Sequence, residues 1–319
     1  MGRIADALKR AQLERARHTM AGGVALEEAP DSRFAGMPAG ADPRDSLVAA
    51  SFTSTPPLPL RTPPEPSAAP MAINPPPRPA FTAALAPIPR EDIHAEVLAF
   101  HDPASPITEK YRSVRTRLLT SNPGGSTRVY SITSAASGEG KTITSANLGF
   151  SLAELRHLRV AIVDLNFRNR GLSRLFKCDK QPGIADVLRG EKTLAEVCAP
   201  MPRPNLHFIG AGDCGISGPS DLLSGGRVAE VFREIGERFH YTLVDTPPIS
   251  AFADIGLIAP LCHYALIVIR MNKTPEPLLR RCVKLLQANH IAIAGSILTG
   301  YTEETMSCGE NQDYYLGGM

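Results

Sequence analysis

Six consecutive residues, Ser137-Gly138-Glu139-Gly140-Lys141-Thr142, have the types and spacing of a phosphate-binding loop. Two glycines free the backbone to turn successive N–H groups toward anionic oxygens, and the start of a following helix adds positive potential. Lys141 is placed to reach the outer phosphates of a nucleoside triphosphate, and Thr142 offers a hydroxyl to a magnesium ion. Two acidic signals lie downstream: Asp164 in Ala161-Ile162-Val163-Asp164-Leu165-Asn166-Phe167-Arg168, and Asp245 in Leu243-Val244-Asp245-Thr246-Pro247-Pro248. Each follows a short apolar run, so each carboxylate is expected at the C-terminal end of a strand, where open α/β sheets bind ligands. Lysine, hydroxyl and strand-end carboxylates together point to phosphoryl chemistry on a nucleoside triphosphate with Mg²⁺. The consensus loop opens with Gly six residues before its lysine; this chain has Ala135 there.

The elements that position these residues follow from hydrophobic patterning. Short β-rich runs at Val129–Thr133, Val160–Val163, Leu206–Ile209, Thr242–Val244, Ala265–Ile269 and Ile291–Leu298 alternate with helix-length segments near 142–155, 220–238, 252–260 and 275–289. Strands alternating with helices imply βαβ units, hence an α/β fold with a parallel sheet sandwiched between helices.

Composition sets the remaining bounds. The net charge of +2, the 6% aromatic content and the lack of Trp give no footing for a nucleic-acid partner. Six cysteines show neither CxxC pairs nor zinc spacing and read as reduced core residues. No apolar run approaches the ~18 residues of a membrane span, so a cytoplasmic location is expected. Of 29 prolines, 18 precede residue 107. The expected organisation is therefore a short basic helix at 1–20 and a disordered Pro/Ala-rich linker at 21–106. A nucleotide-binding domain at 107–300 and a flexible tail at 301–319 complete it.

The three motifs, in this order, resemble the bacterial tyrosine kinases (BY-kinases) of capsule and exopolysaccharide assembly. The resemblance covers roughly residues 105–301 and extends to Glu109-Lys110-Tyr111-Arg112-Ser113-Val114-Arg115, similar to the family's ExxRxxR helix, and to Pro219-Ser220-Asp221-Leu222-Leu223, similar to its PSELL segment. It implies tyrosine autophosphorylation in trans with Mg-ATP, and a ring-shaped homo-oligomer with contacts through Glu109, Arg112 and Arg115. It also implies a separate membrane adaptor (polysaccharide co-polymerase) chain that recruits the protein to the inner face of the cell membrane. By position it assigns Ser137 to Thr142 to nucleotide binding, Lys141 and Asp164 to catalysis, and Thr142, Asn166 and Asp245 to the metal. Asn166 stands where the family usually has Asp, and one lost charge is expected to weaken Mg²⁺ binding.

Tyr301, Tyr314 and Tyr315 are three of seven tyrosines and cluster in the last 19 residues, beside Glu303, Glu304, Glu310 and Asp313. They are the expected phosphoacceptors; about 14 extended residues span roughly 45 Å, enough to reach a neighbouring subunit. Two alternatives stay open. A nucleotide-gated scaffold would follow if Asn166 abolishes transfer. A positioning ATPase of the MinD/ParA type would carry a signature lysine five residues before Lys141, where this chain has Ala136.

Overall fold

A computed structural model describes residues 82–215, 218–249, 255–258 and 261–300. The expected basic helix, most of the linker and the tail with its three tyrosines lie outside the described residues.

Among the described residues, seven strands form one sheet: β1 Arg128–Ser134, β2 Val160–Asp164, β3 Cys198–Pro200, β4 Leu206–Ile209, β5 Tyr241–Asp245, β6 Tyr264–Arg270 and β7 Ala292–Thr299. Their order is β3-β4-β2-β5-β1-β6-β7. All neighbours are parallel except the short edge strand β3, which pairs antiparallel with β4. The expected α/β class with a parallel sheet between helices is borne out.

Parallel strands buried on both faces need apolar residues at consecutive positions, and β2 (Val-Ala-Ile-Val-Asp) is buried throughout. Alternate residues serve the two faces. Val160 and Ile162 pack with Tyr130, Phe208, Leu243 and the helix Lys141–Leu152. Ala161 and Val163 pack with Val244, Ile209 and the helix Arg227–Arg238. At the far edge Ala265 and Ile267 of β6 meet Cys282 and Leu286 of the helix Glu276–Ala288. The cysteines Cys178, Cys198, Cys262 and Cys282 are buried and free, and burial pushes each thiol up, so they behave as small apolar core residues.

The expected linker boundary at Pro106 falls too late. Ile88, Ile93, Val97 and Ala99 belong to the core. The Ile88 amide donates to the Pro200 carbonyl at 2.9 Å. The Ala99 amide donates to Asn147 Oδ1 at 2.9 Å, and Asn147 Nδ2 donates to the Glu96 carbonyl at 3.0 Å. A few apolar anchors set among prolines carry no periodicity, yet each fills a site on the finished domain. The segment 220–238 is likewise two helices, Gly218–Ser224 and Arg227–Arg238, divided at Gly225-Gly226 because paired glycines cost about 1 kcal/mol each in a helix.

The helix Pro106–Thr120 starts with Ser105 accepting from the Ile107 amide and with Pro106 in its first turn. It is fixed to the helix Lys141–Leu152 by a carboxylate clamp. Arg112 Nε and Nη2 donate to the two oxygens of Glu154 at 2.9 and 2.7 Å. Arg115 Nη1 reaches the same carboxylate at 2.5 Å and also donates to the Ser151 carbonyl at 2.8 Å. Glu109 stays exposed, its carboxylate accepting from Arg112 Nη1 at 3.1 Å. Two of the three residues expected at a subunit interface are thus committed within the chain.

Burial pushes the Glu154 carboxyl up, but the hydrogen bonds from Arg112 and Arg115 outweigh it and hold the group below the ordinary value of 4.5. A depressed folded pKa gives stability that is present above the unfolded value and lost as pH falls through the folded one. Glu154→Gln is expected to cost about 2 kcal/mol at neutral pH, read from urea midpoints. The gap should narrow as pH falls below the ordinary carboxylate value and through the lowered folded one, where Glu154 takes up a proton. A gap that stays constant across this range would exclude the charged clamp as its source.

Candidate nucleotide site

The phosphate-binding loop connects the end of β1 to the helix beginning at Lys141. Gly138 and Gly140 take positive φ angles of 74° and 99°, backbone states that disfavour a side chain. Ser137 and Gly138 are exposed, whereas Glu139 is fully buried. Glu139 is the internal brace of the loop. Its carboxylate accepts from the Ala136 amide at 3.1 Å and from the Thr274 hydroxyl, and its carbonyl accepts from Thr299 Oγ1 at 2.7 Å. The Gly138 carbonyl accepts from Arg270 at 3.1 Å and Lys273 at 3.3 Å. The ends of β6 and β7 therefore hold the loop from outside.

Lys141 is nearly buried and donates to Ser134 Oγ at 2.9 Å; that hydroxyl donates in turn to the Ala136 carbonyl at 2.6 Å. Burial lowers the Lys141 pKa, against the opposing pull of the Asp245 and Glu139 carboxylates. An ammonium held dry beside a loop of N–H donors is a strong partner for an anionic oxygen.

Asp164 and Asp245 are register neighbours at the ends of β2 and β5, and both are fully buried. Burial first, then the charge of Asp164, pushes the Asp245 carboxyl up; a hydrogen bond from Thr142 opposes this. Thr142 Oγ1 donates to Asp245 Oδ2 at 2.8 Å, while the buried Asp245 Oδ1 has no hydrogen-bond partner. A hydroxyl and a carboxylate with an unused buried oxygen are the hard donors a magnesium ion takes, completed by water and phosphate. Thr142 and Asp245 fit the ion. Asn166 is buried nearby on the loop after β2, where its carbonyl caps the turn by accepting from the Asn169 and Arg170 amides.

Asp164 is held differently. Its Oδ2 accepts from the Ser173 amide at 2.9 Å and hydroxyl at 2.8 Å, and its Oδ1 from the Asn166 amide at 3.1 Å. In this geometry the carboxylate organises the loop 166–173 and has no exposed face toward an acceptor hydroxyl. Burial raises its pKa in spite of these bonds.

The motif reading did not single out Ser134, Ser173, Gly171, Arg270, Lys273 or Thr274. A Cβ placed on Gly171 would lie 2.8 Å from Thr142 Oγ1, so Gly171 lets the 166–173 loop close against the Thr142 hydroxyl. Ser173 Oγ joins Asp164 to the Ala211 amide at 3.0 Å. Arg270, Lys273 and Thr274 sit just after a strand end, and that position was the available signal.

The sequence profile of the CobQ/CobB/MinD/ParA nucleotide binding domain matches residues 130–306. The chain belongs to that family. Among relatives of the CobQ/CobB/MinD/ParA domain, the EpsB protein of Ralstonia solanacearum is 29% identical over 218 residues, covering 68% of this chain and 29% of that one. The tyrosine-protein kinase YwqD of Bacillus subtilis is 26% identical over 204 residues, covering 64% of this chain and 85% of that one. The chain thus spans under a third of EpsB and most of YwqD. The kinase domain of the Escherichia coli tyrosine kinase ETK superposes with a TM-score of 0.61 at 25% identity, covering 65% of this chain and 80% of that domain. The resemblance to bacterial tyrosine kinases is borne out. Among the described residues no helix is long and apolar enough to cross a membrane.

A carboxyl whose folded pKa is raised destabilises the folded state progressively as pH climbs from the ordinary carboxylate range through the folded value. Asp245→Asn is therefore expected to raise the melting temperature of the nucleotide-free protein in EDTA by about 5 °C at about pH 8. The gain should vanish near about pH 4, where the native carboxyl is already neutral. Equal melting temperatures for both proteins at every pH would show that the buried carboxylates do not repel.

Proposed function

We propose that the chain is an ATP-dependent protein-tyrosine autokinase of a capsule or exopolysaccharide export system, phosphorylating its C-terminal tyrosines in trans. The observation that carries this is the combination of a braced phosphate-binding loop with Lys141, Thr142 and the unsatisfied Asp245 oxygen converging at the C-terminal ends of the central strands β1 and β5, in a chain similar to named tyrosine kinases. We also propose ATP with Mg²⁺ as the bound cofactors, a homo-oligomeric ring, and a separate membrane adaptor chain that brings the protein to the inner membrane face.

Phosphoryl transfer needs positioning and charge neutralisation more than covalent help, because its transition state is loose. The loop amides of 137–142 and the Lys141 ammonium would hold the triphosphate in line. Thr142 and Asp245 would hold Mg²⁺, which when bound neutralises charge developing between the outer phosphates. Asp164 would accept the tyrosine proton late, after the Ser173 contacts open; its raised pKa narrows the gap to a tyrosine near 10. Asn166 supplies an amide oxygen where a carboxylate would bind the ion more strongly, so the protein should need more magnesium than an aspartate-bearing variant.

The test is mass spectrometry of the tail after incubating the full chain with Mg-ATP. Phosphate is expected on Tyr314 or Tyr315, with Tyr301 as a further acceptor, and Lys141→Met should cut incorporation at least about a hundredfold. Asn166→Asp should lower the half-saturating magnesium concentration several-fold while leaving the acceptor sites unchanged. Tight calorimetric binding of Mg-ATP with no phosphate on any tyrosine would replace the kinase by a nucleotide-gated scaffold.

A further inference from the structure

The opposite end of the sheet from the nucleotide site carries a second concentration of charge. A cavity of about 750 Å³ opens beside the N-terminal ends of β2 and β4, within the range of small-ligand sites. Arg90, Arg156, Arg159 and Arg203 line it. Glu154 is the single carboxylate in the lining, and its two oxygens are already held by Arg112 and Arg115. Among the described residues, Arg90, Arg156 and Arg203 make no ion pair with an acidic side chain. Arg203 Nε is buried with no hydrogen-bond partner. A guanidinium N–H withdrawn from water and left unmatched is a site for an acceptor that the protein itself does not provide.

The walls are preformed. Asn205 Nδ2 donates to the Leu155 and Leu158 carbonyls at 3.0 and 2.8 Å, and the Val160 amide donates to the Asn205 carbonyl at 2.9 Å, so the two loops that carry Arg156, Arg159 and Arg203 are tied together. Phe100, Pro103, Pro202 and Pro204 add flat apolar surface between the charges, and the Arg90 guanidinium lies 4.8 Å from the Phe100 ring centre. Bare phosphate would leave most of this volume and all of the apolar wall unused. A phosphate carried on an aromatic ring would use both: guanidinium forks match phosphate oxygens, and the ring would lie against Phe100 and the prolines.

We propose that this cavity binds a phosphomonoester, and that its occupant is the chain's own C-terminal segment 301–319 once it is phosphorylated on tyrosine. The segment holds Tyr301, Tyr314 and Tyr315 with Glu303, Glu304, Glu310 and Asp313, and no Lys or Arg follows Lys284. Each phosphate adds close to two further negative charges at neutral pH. The charges of segment and cavity are complementary in sign. About 14 extended residues from Gly300 reach roughly 45 Å, against about 23 Å along a seven-residue strand combined with about 24 Å across the five strand spacings from β7 to β4. Docking there holds a phosphorylated tail at the end of the sheet away from Lys141 and Asp245, so product is kept from the site that made it. The source of the phosphate rests on the kinase reading; the cavity's chemistry does not.

The test uses phosphatase-treated full chain without nucleotide and a fluorescent peptide of residues 309–319 carrying phosphate on both tyrosines, followed by anisotropy. Saturable binding is expected, at least about tenfold weaker for the unphosphorylated peptide and for the Arg156→Ala/Arg203→Ala variant. Arg90→Ala, at an exposed position, serves as the second variant should the double one fail to fold, and should weaken binding several-fold. Equal affinity for the two peptides, or for the wild type and both variants, overturns the proposal. So does binding confined to inorganic phosphate or to phosphatidylserine vesicles with no phosphopeptide binding. Because the peptide arrives already phosphorylated, a catalytically inactive chain leaves this readout intact, and failed docking leaves the tail mass spectrum intact.

Discussion

Two carboxylates buried side by side at the ends of neighbouring parallel strands impose the central constraint on this molecule. Asp164 and Asp245 share a register and neither reaches water. Desolvated like charges repel, and each must be met by donors or by a proton. The fold answers Asp164 with the amides and hydroxyl of the 166–173 loop. Asp245 is answered only in part, by Thr142 and the nearby Lys141, which leaves one oxygen over. The asymmetry separates structural from ligand-seeking charge. Asp164 holds a loop in place, and Asp245 keeps one buried oxygen without a hydrogen-bond partner.

That division explains why the phosphate-binding loop is braced from outside. A loop that offers its own amides to a ligand cannot use them to hold itself. Glu139 turns its carboxylate inward to Ala136 and Thr274, and carbonyls at 138 and 139 are taken by Arg270, Lys273 and Thr299. Acceptors of the loop are thereby spent on the protein together with the Ala136 amide, while the amides of 137–142 take no part in the brace. The same economy appears at the far end of the sheet, where Glu154 is fully engaged by Arg112 and Arg115, and Arg90, Arg156 and Arg203 line a cavity in which no other carboxylate stands.

Much of this was legible in the chain. The runs that became β1, β2, β4, β5, β6 and β7 are continuous apolar stretches because both faces of a parallel sheet are covered, and Gly138, Lys141, Thr142, Asp164 and Asp245 announce themselves by position. Other features were hidden for physical reasons. Ile88, Ile93, Val97 and Ala99 are single anchors among prolines, and their burial depends on a surface that exists only once the domain has formed. The strand β3 is three residues long and pairs at an edge, too short for any period to show. Ser173 and Thr274 contribute through one hydroxyl each, placed by tertiary contacts that no local pattern encodes. The helix bearing Arg112 and Arg115 was visible, but its partner Glu154 lies 42 and 39 residues further along the chain.

The bracing also joins the nucleotide site to the start of the tail. Thr299 is the last residue of β7, and its hydroxyl donates to the Glu139 carbonyl while its own carbonyl accepts from the Met271 amide. The tail begins two residues later, at Tyr301. Any force on the tail therefore acts first on a residue bonded to the phosphate-binding loop and, through Met271, on the segment carrying Lys273 and Thr274. The single residue between Thr299 and Tyr301 is a glycine with φ of 70°, a backbone state that favours glycine over residues with a side chain, so the strand end that braces the loop is followed at once by a turn in the chain.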